Sequence, residues 1–420
     1  MLLLGKFVVN GDKGLEGRIR NNGAKNAALP ILAAAVLSDG EVILHDCPQI
    51  VDVQNMLLIL ESIGCGVKRE EKHIILEPRD IDMWRIPDKY VRKIRSSIVF
   101  LGALIGRMGR AEAAYPGGCE IGQRPIDLHL DAFKKLGISV DDSHGYINCT
   151  APHIKGAEIH LEYPSVGATE NIMLAASKGK GHTVIYNAAK EPEVVDLQNF
   201  INAMGGKIWG AGGNTIYIEG VDRLQSVEYT IIPDRIVAGT YLMACAASGG
   251  DVFVDNVNIE HIFPILSKLQ EAGCVVSLEK DGVRILVENR LKAISHTITL
   301  PYPGFPSDMQ SPLMALLTTA EGTSIITETI FESRYKHVPE LIRMGARIYI
   351  DGMTAVVQGV DMLQGVEVCA TDLRGGAALL IAALGAQGIT VIDNVTHVDR
   401  GYECLDEKLN SIGADIKRIE

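Results

Sequence analysis

Aromatic side chains are scarce in this sequence: Phe, Trp and Tyr make up 5% of its 420 residues. The core must then be assembled from Ala, Val, Ile and Leu. Long apolar runs are absent too. The most apolar stretches, 27–37 and 377–386, fall well short of the roughly 20 residues that span a bilayer, so both read as buried helices. Met1-Leu2-Leu3-Leu4 meets Gly5-Lys6 at once, too short an apolar segment for an export signal, so a cytoplasmic protein is expected. Positive charge is in deficit, with 40 Lys and Arg against 52 Asp and Glu and a formal net charge of -12. That argues against nucleic acid or an anionic membrane as the main partner, but a local cation cluster can still hold a small anionic substrate. The eight cysteines include no CxxC pair, so zinc and thioredoxin-type spacings are excluded. No metal and no cofactor are expected. Scattered thiols of this kind read as buried and reduced, and Cys119 alone is set apart from that reading.

Glycine is plentiful, at 43 residues, and six glycines mark a repeat. An amphipathic run closes on a glycine and a strand-like run follows. The glycines are Gly64, Gly137, Gly205, Gly273, Gly345 and Gly413, spaced 68–73 residues apart. Each reads as the residue that ends a helix in the left-handed conformation. A second phrase runs in register with the first: a nearly all-apolar helix, a glycine, then a β-branched strand, as at 236–254 and 377–392. Every unit of about 70 residues therefore holds two helices. One is apolar all round and belongs inside; the other is amphipathic and faces water on one side. A chain of this length exceeds one ordinary core. Six units divide into two groups of three, giving an α/β fold of two similar domains, helices inside and sheets outside, with a ligand cleft between them. Strand order is not legible from periodicity.

The most informative local stretch is Tyr115-Pro116-Gly117-Gly118-Cys119-Glu120-Ile121-Gly122-Gln123-Arg124-Pro125. Glycines and prolines around one thiol describe a shaped, exposed loop. The Arg124 guanidinium suits a phosphate or carboxylate, and a nearby cation favours a reactive thiolate. Further charges gather near the starts of the apolar helices. Lys25 and Asn26 precede one such run, where free backbone N–H groups help hold an anion. Ser165 opens a capping sequence before another. Arg95, Asp308, Arg334, Arg374 and Arg400 occupy comparable places. Singly, each reads as a solvated charge; together they suggest one shared site.

These residues stand in motifs that resemble the enolpyruvyl transferases, in particular those acting on UDP-N-acetylglucosamine at the entry to peptidoglycan synthesis. The motifs are Asn22-Gly23-Ala24-Lys25-Asn26-Ala27, Pro116-Gly117-Gly118-Cys119, Asp308-Met309-Gln310, Phe331-Glu332-Ser333-Arg334, Thr371-Asp372-Leu373-Arg374 and Asp399-Arg400-Gly401-Tyr402-Glu403. The resemblance covers nearly the whole chain. It implies two inside-out α/β barrel domains, each of three βαβαββ repeats, with the active site in the cleft between them. One domain would take 1–23 plus 233–420 and the other 24–232. It implies a monomeric transferase that moves the enolpyruvyl group of phosphoenolpyruvate to the sugar 3′-hydroxyl. Lys25, Arg124 and Arg400 would hold phosphoenolpyruvate, with Arg334 and Arg374 nearby. Cys119 would act as general acid and Asp308 would accept the hydroxyl proton. Asn26, Arg95, Arg124, Pro125, Ile126, Asp127, Leu128, Ser165, Val166, Gly167, Asp308, Ile330 and Asp372 would complete the substrate contacts.

One departure stands out. Some members carry Lys-Val before Ser-Val-Gly, where this sequence has Tyr163-Pro164, so a lysine contact to the diphosphate is missing. The sister enzymes acting on shikimate 3-phosphate lack the Pro-Gly-Gly-Cys loop. A catalytically silent sugar-binding paralogue fits poorly with an intact Cys119, Asp308 and arginine set. A redox sensor has no second cysteine near Cys119 in sequence. The resemblance also implies that fosfomycin alkylates Cys119. Incubation with the drug and UDP-N-acetylglucosamine should raise the intact mass by one adduct; an unchanged mass would refute this.

Overall fold

The computed structural model describes residues 5–70, 73–117, 121–122 and 125–419. Cys119 and Arg124 lie outside the described residues. Each repeat supplies a pair of helices: α1 (Lys25–Ala34) and α2 (Val51–Ser62), α3 (Val99–Met108) and α4 (Asp127–Lys135), α5 (Val166–Ala176) and α6 (Pro192–Ala203). The later repeats give α7 (Arg235–Ser248) and α8 (Ile259–Glu271), α9 (Gln310–Leu317) and α10 (Val338–Arg343), α11 (Leu373–Leu384) and α12 (Leu405–Asn410). Odd-numbered helices are buried on nearly every side. Even-numbered helices are half-buried; in α8 the buried positions Ile262, Ile265, Leu266 and Leu269 follow the spacing of one helical face.

The six repeat glycines all adopt positive φ, between 79° and 103°. After each, a backbone N–H reaches back across the helix end: Cys65 to Leu60, Ile138 to Phe133, Gly206 to Ile201, Cys274 to Leu269, Ala346 to Leu341 and Ala414 to Leu409, at 2.9–3.2 Å. This is the Schellman closure. A Cβ at Gly205, Gly273 or Gly345 would meet nothing within 4 Å, so it is the left-handed backbone alone that requires glycine there.

The strand order, illegible in the sequence, proves common to the repeats. The strand after the apolar helix lies second in its sheet. A parallel strand flanks it on one side, and an antiparallel hairpin on the other. Thus Leu15–Arg20 runs parallel to Gly250–Asp255, which pairs antiparallel with Gly282–Val287, itself paired with Val275–Glu279. Three sheets complete this pattern with distant segments. Lys6–Asn10 inserts between Ile389–Asp393 and Ile416–Ile419. Leu15–Arg20 serves the fourth repeat. Val227–Thr230 runs parallel to Val42–His45 and serves the first. Among the described residues the second repeat has three strands, and a single bridge from Arg85 to Glu112 stands where the parallel strand would be. The sheets among the described residues remain separate, so "barrel" here means helices lined by three sheets, not one continuous ladder.

The chain divides into two compact units. One runs from Gly23 to Ile232; the other takes the residues up to Asn22, those from Pro233 on, and Ile121 and Gly122. Each has its own apolar core. At the crossings, the Ala24 N–H donates to Ile232 O (2.7 Å) within the first unit, and the Asp234 N–H to Asn22 O (2.9 Å) within the second. No helix among the described residues is long and apolar enough to cross a membrane.

Helix α3 approaches α5 closely. A Cβ at Gly102 would lie 2.4 Å from Asn171 O, whereas one at Gly239 of α7 would meet only the mobile tips of Ile265 and Met309, at 2.9 and 3.0 Å. Alanine gains helix propensity of about 1 kcal/mol over glycine, while overpacking against rigid backbone costs about 1–3 kcal/mol. Gly102→Ala should therefore lower the urea midpoint clearly and Gly239→Ala little. Equal shifts would show that α3 and α5 separate freely.

Candidate active site

The expected site residues fall into two groups, one in each unit. In the Gly23–Ile232 unit, Lys25 opens α1 and its ammonium lies 2.7 Å from Asp52, in the first turn of α2. Both side chains are buried. No side chain caps α1 at Ala24, so its first N–H groups are left to other partners. Asn26 follows, half-buried. Arg95 begins a 3-10 turn, Arg95–Ile98, that leads into α3. Ser165 caps α5, its Oγ accepting the Ala168 N–H at 3.3 Å, and Val166 and Gly167 form the first turn. Pro125 and Asp127 are exposed, Leu128 is half-buried and Ile126 is buried. Tyr163 is exposed.

The other unit holds the acidic centre. Asp308 lies in a 3-10 turn, Ser307–Met309, ahead of α9. Its carboxylate pairs with Arg334 and, at 3.1 Å, with Arg374. Both arginines are almost wholly buried, while Asp308 keeps 28% side-chain exposure, enough for a ligand to touch it. Burial alone would raise the Asp308 pKa. The charges and hydrogen bonds of Arg374 and Arg334 outweigh burial and hold the carboxyl far below the usual range. Arg334 Nε also donates to Ser307 O at 3.2 Å. Arg374 Nε and Nη1 are buried and make no hydrogen bond to the described residues. The guanidinium lies 5.3 Å from the Tyr402 ring, whose hydroxyl pairs with Thr240 at 2.9 Å. Asp372 is engaged as the cap of α11, accepting the Arg374 and Gly375 N–H groups at 3.0 Å each. Arg400 ends a 3-10 helix, Val395–Arg400, and is half-buried. Its neighbours in the motif are anchored, Asp399 to Arg418 and Glu403 to Asn22. Ile121 and Gly122, which group with this unit, lie against Glu332 and Ser333; the Ser333 N–H donates to Ile121 O at 3.0 Å.

Several contributors escape a sequence reading. Glu328 is fully buried and ties two site segments together, accepting from Ser307 Oγ (2.9 Å) and from the N–H groups of Ile330 (2.8 Å) and Phe331 (3.1 Å). His337 is fully buried, with no partner among the described residues for either ring nitrogen. Asp234 caps α7 at the place equivalent to the other helix starts, and Arg235 follows it, buried. The available signal was the repeat itself, since every apolar helix begins beside a polar residue. One expectation fails. Of the seven cysteines other than Cys119, Cys369 and Cys404 are exposed and Cys47 is half-buried; Cys369 ends a strand and Cys404 immediately precedes α12. Cys65, Cys149, Cys245 and Cys274 are buried, which pushes their thiols up to about 12.

The chain is similar to known proteins over its whole length. The sequence profile of EPSP synthase (3-phosphoshikimate 1-carboxyvinyltransferase) matches residues 9–409. A UDP-N-acetylglucosamine 1-carboxyvinyltransferase 2 from Caldanaerobacter subterraneus is 54% identical over 416 residues, covering 99% of this chain and 100% of that one. A UDP-N-acetylglucosamine 1-carboxyvinyltransferase from Thermotoga maritima is 50% identical, covering 99% of each. Among solved structures, the enolpyruvyl transferase NikO from Streptomyces tendae matches with a TM-score of 0.89 at 26% identity over 99% of each chain. EPSP synthase from Acinetobacter baumannii, at 16% identity and a TM-score of 0.78 over 99% of this chain and 100% of that one, shares the fold.

His337 makes a pH prediction. Burial depresses its pKa from 6.5 to about 4, with Arg334 adding to the effect and Asp372 opposing it. Between these values the unfolded chain binds a proton that the folded chain refuses. Stability should therefore fall as pH drops from 6.5 toward 4, and be unaffected by this group above 6.5. Unfolding free energies from urea titrations at pH 7 and pH 5 should differ more for the wild type than for His337→Asn; equal differences would count against it.

Proposed function

The chain belongs to the EPSP synthase family, and within it to the UDP-N-acetylglucosamine 1-carboxyvinyltransferases, and we propose that it transfers the enolpyruvyl group of phosphoenolpyruvate to the 3′-hydroxyl of UDP-N-acetylglucosamine with release of phosphate, the first committed step of peptidoglycan synthesis. The observation that carries the reading is the pair of buried arginines on Asp308. Beyond its pairing with Asp308, Arg374 keeps two buried nitrogens, Nε and Nη1, without a hydrogen bond to the described residues, and a buried guanidinium only partly matched by its carboxylate favours a further anionic partner. Phosphoenolpyruvate brings a phosphate and a carboxylate.

In this reading Lys25, Arg124 and Arg400 bind phosphoenolpyruvate, with Arg334 and Arg374 alongside. Asn26, Arg95, Arg124 to Leu128, Ser165 to Gly167, Asp308, Ile330 and Asp372 serve the nucleotide sugar and the shared centre. The hydroxyl oxygen attacks C2 of phosphoenolpyruvate while Asp308 takes its proton and the Cys119 thiol protonates the methylene carbon. The tetrahedral intermediate then loses phosphate as the Cys119 thiolate takes a proton back from the new methyl group, restoring the double bond and the thiol, and the proton held by Asp308 leaves with the phosphate. A carboxylate paired with two arginines is a weak base. Asp308 gains basicity as Arg334 and Arg374 turn part of their charge toward the incoming anion, so binding of phosphoenolpyruvate primes proton transfer. With Tyr163-Pro164 in place of Lys-Val, the diphosphate relies on arginine and backbone N–H donors. The reading includes a cytoplasmic monomer without metal or cofactor, since neither substrate calls for a membrane or a second chain.

The deciding experiment is phosphate release from phosphoenolpyruvate with UDP-N-acetylglucosamine as acceptor, beside shikimate 3-phosphate and a Cys119→Ala variant. Release with the nucleotide sugar alone, lost in the variant, supports the assignment; release with neither acceptor from protein that binds the sugar would point to a silent paralogue. Arg374→Ala should lower kcat/KM for phosphoenolpyruvate by about 10–100-fold, the worth of one charge-assisted contact.

A further inference from the structure

Asn171 sits in the middle of α5, a helix lined mainly with apolar side chains, and is fully buried. Its surroundings fix which end of the amide is which. The Gly102 backbone N–H can only donate, and it reaches Asn171 Oδ1 at 2.9 Å. The other end is therefore the amino group, and it donates to Ile98 O at 3.0 Å. The same Nδ2 lies 2.8 Å from His129 Nδ1. Its two hydrogens serve these two acceptors, so His129 Nδ1 carries no proton and the neutral imidazole bears its hydrogen on Nε2. That edge of the ring faces Gly167, where an added Cβ would lie 3.1 Å from Cε1 and 3.4 Å from Nε2.

This amide, together with the imidazole it holds, links three segments of the proposed site. Ile98 closes the 3-10 turn begun by Arg95. His129 lies in the first turn of α4, directly after Pro125 to Leu128. Gly167 lies one turn before Asn171 in α5, beside Ser165. We propose that Asn171 is a positioning residue that, through His129, sets the mutual register of these three segments and turns an imidazole N–H, never a lone pair, toward the Ser165–Gly167 turn. This rests on the assignment of those segments to the nucleotide sugar. Neither residue touches a reacting atom, so the effect should fall on binding of the sugar nucleotide and spare the chemistry of phosphoenolpyruvate.

Two measurements test it. Nitrogen-15 imidazole NMR of the full-length wild type, with the His129 signal identified by its loss in His129→Gln, should show a protonated Nε2 and a bare Nδ1. The opposite tautomer would overturn the proposal. Asn171→Asp keeps an acceptor for Gly102 but offers a carboxylate to His129, which draws the proton to Nδ1. Its KM for UDP-N-acetylglucosamine should rise about tenfold, with KM for phosphoenolpyruvate and kcat at saturating sugar nucleotide held within about twofold. His129→Gln, which retains an N–H donor, should stay nearer the wild type than His129→Leu. An unchanged sugar KM in Asn171→Asp, or equal rises for both substrates, would overturn the idea. Wild-type protein that binds no UDP-N-acetylglucosamine in calorimetry would instead sink the functional assignment, leaving the tautomer result to stand by itself.

Discussion

A helix without a polar face has one place to go. Six helices of this chain are apolar nearly all round, and each must be enclosed by its neighbours before its repeat is stable. The sheets and amphipathic helices provide that enclosure and leave the ends of the inner helices as the places where polar chemistry can enter. The placement of the proposed site residues follows from this constraint. Lys25 opens α1, Arg95 leads into α3, Ser165 caps α5, Asp234 caps α7, Asp308 precedes α9, and Asp372 caps α11 with Arg374 behind it. Helix starts carry unpaired N–H groups and the positive end of the dipole, so within each unit they are places suited to anionic groups in a protein whose net charge is negative.

Burying ions for this purpose has a cost. Lys25 with Asp52, and Asp308 with Arg334 and Arg374, are held largely out of water, where well-packed apolar residues would serve stability at least as well. Arg374 goes further and keeps donors that the described protein does not satisfy. Glu328 offsets part of this strain on order by accepting three hydrogen bonds from the two segments that flank Asp308. The cluster is thus tied down on one side by Glu328 and keeps unpaired donors on Arg374.

The sequence was most legible where one residue answers to one local rule. The repeat glycines announced their left-handed helix ends, and the apolar and amphipathic helices announced inside and outside. The charged residues of the proposed site stand out because they recur at the same phase of the repeat. Asn171 and His129 were not, since a polar residue inside an apolar run has no local signature of its partners. Glu328 reads as one more residue between a strand and a loop. Cys369 and Cys404 were misjudged because thiol burial depends on which way an element end points.

What the sequence by itself determined was the number of repeats and the kind of helix in each, both of which depend on contacts within a few residues along the chain. The tertiary structure alone decided that Lys6–Asn10 completes the last sheet, that Val227–Thr230 completes the first, and which carboxylate meets which guanidinium. These strand pairings join residues nearly two hundred or more positions apart and the buried ion pairs residues some tens apart, 26 for Asp308–Arg334 and 66 for Asp308–Arg374, and their energies depend on register and burial that no local pattern encodes.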